Sequence, residues 1–324
     1  MSRRGWALFI AMGAIWGIPY LLIKVAVEDL SPSTLVLART GLAGLLLLPL
    51  AASRGLLRPV LPFWRPLLAY SVIEICLPWV LLGYAEQHLS SSLTGLLVAA
   101  VPLVGAVLVK LTGHEVMGSR RVVGLLVGFA GVAALVGFDV GASSPGPVAA
   151  VGFVAIFYAL GPLILARHLA HLPGLGVVTA SLLVTAVIYI PFGLGQWPDH
   201  APGGDTVLAV IALAVVCTAV AFLAFFELIA EVGPSRATVI TYVNPAVALV
   251  LGVLVLDEHV TLATGAGFAL ILLGSVLATR RDVAPEVTGE PAAGPTPAPG
   301  RPESGSAPTA VTTEDVAACP VPEP

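Results

Sequence analysis

The sequence predicts an all-α integral membrane protein with ten transmembrane helices, arranged as two inverted five-helix repeats. Three observations lead there. Of 324 residues, 57% are hydrophobic and 10% charged, and mean hydropathy is +0.98, whereas a soluble domain carries about 25% charged residues. Long apolar runs free of Asp, Glu, Lys and Arg recur along the chain. The sequence also matches itself at a shift of 143 residues.

A spanning helix needs about 20 mostly apolar residues. The first run, 5–23, follows Met1-Ser2-Arg3-Arg4 and has the outline of a signal peptide. Its length, the presence of Trp16 and Pro19 and the lack of a small-x-small cleavage site favour a first transmembrane helix. A twin-arginine export signal does not fit a chain whose remainder is membrane protein. The next two runs, 33–53 and 66–85, each carry one charge, Arg39 and Glu74. Charge-free runs follow at 87–109, 122–138, 140–166, 172–198, 206–226, 237–256 and 260–279. Connections are short and rich in Gly, Pro, Ser and Asp, as in Trp197-Pro198-Asp199-His200-Ala201-Pro202-Gly203-Gly204. Residues 282–324 are dominated by Pro, Ala, Gly, Glu, Ser and Thr and predict a disordered cytoplasmic tail.

Loop cations orient the chain. With the N-terminus inside, the inner segments hold Arg3, Arg4, Arg54, Arg58, Arg65, Lys110, Arg120, Arg121, Arg167, Arg236, Arg280 and Arg281. The outer half holds only Lys24 and Arg39, alongside the acids Glu28, Asp29, Asp139, Asp199, Asp205, Asp257 and Glu258. Shifting the helix count by one would place basic loops on both sides. The expectation is therefore ten spans in the cytoplasmic membrane, with both termini cytoplasmic.

The 143-residue shift pairs Pro19 with Pro162, Lys24 with Arg167, Ser92 with Ser235, Pro102 with Pro245, Glu115 with Glu258, Gly124 with Gly267 and Gly131 with Gly274. It divides the chain into 1–138 and 146–281. Each half holds an odd number of helices, so the second crosses in the opposite sense. Inverted repeats of this kind allow a central site to open to either side. The bland alternative is a duplication that only built a stable bundle.

Ionisable groups inside a membrane are expensive and persist where they pair, line water or work. Arg39 is expected about six residues, roughly 9 Å, below the outer surface, and Glu74 about twelve residues, roughly 18 Å. Arg39 reads either as a paired or snorkelling group or as a cavity residue, and Glu74 as a cavity or coupling residue. Lys24 reads as a snorkelling side chain or as an anchor for an anionic group. Interface solvation accounts for Glu86, Glu227 and Glu231, and loop solvation for His114 and His259. Trp16, Tyr20, Trp79, Tyr84, Tyr158 and Tyr242 offer aromatic walls, with Trp6, Trp64 and Trp197 as interfacial belt residues. Of the intramembrane prolines Pro19, Pro78, Pro102, Pro162, Pro191 and Pro245, the pair Pro102 and Pro245 is expected to kink helices 4 and 9, with Asn244 beside the second. Gly13 with Gly17, and Gly124 with Gly128, form small-xxx-small faces for packing within the chain rather than between copies.

Several classes are disfavoured. No Gly-x-x-x-x-Gly-Lys-Ser/Thr supports ATP hydrolysis, and Gly113-His114-Glu115-Val116-Met117 lacks the second His of a zinc protease. Cys76, Cys217 and Cys319 suggest neither a disulfide framework nor a metal site. No basic tract points to nucleic acid, and no cofactor is implied.

Certain segments carry a family resemblance. The first helix reads WGIPYLLIKVA from Trp16, and the second SPSTLVLARTGLAGLLLLPL from Ser31 with Arg39 inside it. The halves close on YAEQHLSSSLTGLLVAAVPLVGAVLVKLTGHE from Tyr84 and FELIAEVGPSRATVITYVNPAVALVLGVLVLDEHVT from Phe226. These resemble the EamA-type carriers of the drug/metabolite transporter superfamily over roughly 5–281. Phe157-Tyr158 stands where the sixth helix of the family has a Trp. The resemblance implies a secondary transporter, with no enzymatic activity, that moves a small organic metabolite, more as exporter than importer. It would work by alternating access around a cavity between the repeats, as a monomer or homodimer among membrane lipid. The rival from another class, a membrane-embedded enzyme acting on a lipid or prenyl substrate, predicts clustered acids or histidines near one surface, which the sequence lacks.

Overall fold

Short polar caps and prolines, rather than helix propensity, fix where the apolar runs start and stop. In the computed structural model, Ser2 caps α1 (Arg3–Ala26), its hydroxyl accepting from the Gly5 N–H at 2.9 Å. Ser31 caps α2 (Pro32–Ser53) in the same way, through the Thr34 N–H, with Pro32 in the first turn. Ser90 caps α4 (Ser91–Leu108). Gly233, at φ +83°, ends α8 (Gly204–Val232) in a conformation costly for other residues. The structure describes residues 2–111, 118–137, 145–233 and 238–279. His114, Glu115, Asp139, Ser235, Arg236, Arg280, Arg281 and the expected tail lie outside them.

The remaining helices are α3 (Arg58–Glu86), α5 (Ser119–Leu135), α6 (Pro145–Leu169), α7 (Gly174–Gly195), α9 (Ile240–Val255) and α10 (Leu262–Thr279). There is no strand among the described residues. Seven helices, α1 to α4 and α6 to α8, are long and apolar enough to cross a membrane; α9 and α10 are shorter apolar helices. The run expected over 237–256 is not one uninterrupted α-helix. A 3₁₀ segment, Thr238–Tyr242, leads into Asn244–Val255, with Pro245 in its first turn. Pro102 has a similar effect in α4, where a turn at Ala99–Ala100 separates Ser91–Val98 from the α-helix starting at Val101. Val243 is likewise a turn, 143 residues beyond Ala100. Both helices are thus interrupted just before these prolines, at matching positions.

The π segments repeat as well. One lies within α3 (Ser71–Cys76) and one within α8 (Val215–Val220), offset by one residue from the 143 shift. A third closes α6 (Leu165–Leu169). Helix pairing follows the same rule. The two most extensive contacts join α5 to α10 and α2 to α7, each a helix with its counterpart five places on, and α4 also pairs with its counterpart α9. The pairing of α3 with α6 corresponds to that of α8 with α1, and α1 with α9 corresponds to α6 with α4.

Small residues allow the closest approaches. A Cβ on Gly131 would stand 2.7 Å from the Gly267 carbonyl oxygen, and one on Gly124 2.6 Å from the Ala278 nitrogen. Gly13 and Gly17 bring α1 against Val243 and Val247 of α9. Both small-residue faces named from the sequence are therefore used inside the chain.

Candidate functional site

Arg39 is nearly buried in α2, at 8% exposure. A guanidinium so placed needs partners, and α8 and α3 supply them. Its Nε donates to Thr218 Oγ1 at 3.0 Å, and its guanidinium carbon lies 3.7 Å from the Trp79 ring centroid, well inside cation–π range. Thr218 in turn donates to the Leu213 carbonyl at 2.8 Å, a five-residue step set by the π segment. Its hydroxyl therefore accepts from Arg39 while remaining satisfied as a donor. Trp79 also interacts with the Tyr158 hydroxyl on α6.

Glu74 sits one helix away, in the π segment of α3. Its Oε2 is buried without a hydrogen-bond partner among the described residues. The carboxylate occupies the space left by Gly161, where an added Cβ would overlap Oε2. Tyr70 and Tyr158 are its electrostatic neighbours. Arg39 is therefore engaged by Thr218 and Trp79 and makes no ion pair with Glu74. The two charges expected at different depths stay separate while sharing Tyr158 as a neighbour.

Arg39, Glu74, Trp79, Tyr158 and Thr218 thus form one cluster drawn from α2, α3, α6 and α8. Tyr20 adjoins it, packing in one buried group with Tyr158, Leu82, Val154 and Ala248. Trp16 stands beside Phe222 and Phe225 of α8, with ring centroids at 6.0 and 4.7 Å.

Other expected site residues lie elsewhere. Tyr84 is 39% exposed and packs on His88 at 4.8 Å. Asn244, with its amide nitrogen facing acceptors, donates to the Gly13 and Ile240 carbonyls at 3.2 and 2.9 Å, tying α9 to α1. Lys24 donates to the Glu86 and Leu89 carbonyls at 2.6 and 2.7 Å, capping the end of α3. Glu86 is a correction. Its expected solvation at an interface is overturned, because it is fully buried and both carboxyl oxygens lack a hydrogen-bond partner among the described residues. Glu227 and Glu231 do meet the surface, through Arg4 at 2.7 Å and Ser2 respectively.

Sequence reasoning missed Thr218, Cys217, Gly161 and Tyr70. The repeat itself held a clue, since 143 residues beyond Glu74 lies Cys217, beside Thr218 and an electrostatic neighbour of Arg39.

The chain matches the EamA-like transporter family over residues 3–137 and 147–280. It belongs to that family. The "Uncharacterized inner membrane transporter YedA" of Escherichia coli (strain K12) is 30% identical over 282 residues, 84% of this chain and 89% of its own length. The "Uncharacterized transporter YvbV" of Bacillus subtilis (strain 168) is 27% identical over 288 residues, 86% and 92% of the two chains. An "Uncharacterized transporter" of Archaeoglobus fulgidus is 23% identical over 292 residues, 85% and 99%. A crystal structure superposes with a TM-score of 0.62 at 21% identity, covering 85% of this chain and 96% of the other, which shows a shared fold. This family member is a multi-pass membrane transporter and not an enzyme, and its apolar helices embed it in the cell membrane.

Proposed function

We propose that this transporter moves a small organic metabolite across the cytoplasmic membrane by alternating access, as an exporter driven by a gradient rather than by ATP. The observation that carries the reading is the Arg39–Thr218–Trp79–Tyr158 cluster with Glu74 beside it. It draws a cation, a carboxyl group and aromatic surfaces from helices of both halves to one place. A cation stacked on one face keeps guanidinium N–H groups available for an anionic or polar solute. The unpartnered carboxyl oxygen of Glu74 offers an acceptor, or a place for a coupling proton.

In this reading the repeats are 1–138 and 146–281, both termini face the cytoplasm, and all ten helices span. The correspondence of helix pairings, π segments and broken helices under the 143 shift supports two halves related by inversion. Such halves rock around a fixed central site. The packing of Gly13, Gly17, Gly124 and Gly128 inside the chain supports a monomer as the working unit.

Comparative metabolite profiles of cells with and without the gene would identify the solute. Uptake and efflux in proteoliposomes, with and without a pH gradient, would then test direction and coupling. Glu74→Gln is expected to abolish the pH-gradient dependence. Gradient-driven transport that survives this substitution would remove Glu74 from the coupling path.

A further inference from the structure

At the junction of α3 and α4, Glu86 is sealed in with both carboxyl oxygens unpartnered, between a cation and an anion that are both engaged elsewhere. The cation is Lys24 of α1, whose ammonium donates to the Glu86 and Leu89 carbonyls at 2.6 and 2.7 Å. The anion is Glu258, from the α9–α10 connection. Its two oxygens accept from the Ser91 and Ser92 N–H groups at 2.6 and 2.9 Å. Glu258 thereby closes the N-terminus of α4, where the helix dipole and free N–H groups favour a carboxylate. A cavity of about 330 Å³, lined by Lys24, Val27, Glu28, Glu86, Gln87 and His88, lies against the same junction.

We propose that Glu86 is a proton-binding site and that its proton holds the Glu258 latch shut. An ionised carboxylate with neither oxygen hydrogen-bonded is strongly disfavoured in a buried site, whereas the neutral acid is tolerated there. Two groups on α1 bear on it, Lys24 and Tyr20, and Glu258 bears on it from the α9–α10 connection. Glu28 and His88 line the adjoining cavity, while Asp257 and His259, on either side of Glu258, are exposed. The Lys24 ammonium thus stands on one side of Glu86, and on the other stands the Glu258 carboxylate, held by the two α4 N–H groups. A metal ion is the poorer occupant, because the Lys24 ammonium already sits on the two carbonyl oxygens that would ligate it. When Glu258 leaves α4, water from the cavity reaches Glu86 and the carboxyl loses its proton. A ligand that binds one state better shifts the population toward that state, so proton binding favours the latched state and rising pH releases it. The site is separate from Glu74 and stands whether or not Glu74 couples transport.

The test uses the full chain in lipid nanodiscs, with Cys319→Ser and a reporter thiol from Ser92→Cys, a buried position beneath the latch. Infrared difference spectra at pH 7 are expected to lose a protonated-carboxyl C=O band in Glu86→Gln. Thiol labelling of the reporter, divided by the same rate in the Glu86→Gln background, is expected to rise with pH by up to about tenfold per unit, the limit for one proton. Glu258→Gln is expected to weaken the band and raise labelling at pH 7, which keeps the proposal testable should Glu86→Gln fail to fold. An unchanged band in Glu86→Gln would overturn the proton site. A flat labelling ratio would overturn the latch. A shift in labelling when Na⁺ replaces K⁺ at fixed pH would overturn the proton in favour of a metal cation.

Discussion

The Arg39 guanidinium carbon lies 3.7 Å from the centroid of the Trp79 ring, so a residue of α2 is held over one of α3. Lysine keeps the charge of Arg39 but not its planar stacking or its Nε donor. Arg39→Lys is therefore expected to retain the fold and to lower transport in proteoliposomes by at least about tenfold, the equivalent of one lost charged hydrogen bond. Wild-type rates in Arg39→Lys would show that charge alone suffices.

Thr218→Val removes the hydroxyl that accepts from Arg39 while keeping its shape. It leaves a nearly buried cation short of one acceptor. Thermal unfolding in detergent should report a loss of about 1–3 kcal/mol, in the range for an unsatisfied buried group. Cys217→Ala, next to it, should cost less.

Gly161→Ala forces a methyl group into the Glu74 carboxylate. Overpacking of this kind costs about 1–3 kcal/mol. Because the clash is with Glu74 itself, most of the cost should vanish in a Glu74→Ala background. A double-mutant cycle of unfolding free energies measures that coupling. Additive effects would mean that the two residues do not touch.

The ends of the helices were easier to read from sequence than the cluster between them. Ser2 and Ser31 are capping residues ahead of apolar runs, and each caps as its type suggests, whereas Ser90 caps inside the run expected over 87–109. Arg39 and Glu74 stand out because charge in an apolar run is rare. Their partners do not stand out, since Thr218, Gly161 and Tyr70 are ordinary residues in apolar helices. Packing between helices far apart in sequence gives Thr218 and Gly161 a role, and Tyr70 lies one turn before Glu74 on α3. Glu86 misleads for the opposite reason. It lies at a helix end, where solvation is the usual expectation, yet α1 and the α9–α10 connection cover it.

Outside the membrane, Asp29 accepts from the Thr206 hydroxyl and the Gly203 N–H, both at 2.7 Å. The Thr206 bond first, then the Gly203 N–H, holds its carboxyl below the usual aspartate range. A lowered value in the folded state contributes stability that is complete above the unfolded value, near 3.9, and is lost as pH falls through the folded value. Unfolding temperature measured from pH 6 to pH 2 should therefore fall less for Asp29→Asn than for the wild type. Asp29 is only partly buried, so the difference should be small.

Gly131→Val should break the seam between α5 and α10, where a Cβ meets backbone at 2.7 Å. Gly152→Ala, with open space around it, serves as the control. Yield of monodisperse protein after detergent extraction should collapse for the first and hold for the second.

The π segments of α3 and α8 have a further consequence. A π turn contains one residue more than the helix around it requires. The wider turn absorbs that residue, so the helix beyond keeps its faces; forcing the segment into plain α-helix without shortening it would swing everything beyond by about 100°. Trp79 would then leave Arg39 although no contacting residue had been changed. These two helices therefore hold a register that the wide turn controls. A single-codon deletion there would be taken up as loss of the wide turn rather than as a rotation, and it would be so at equivalent places in either half.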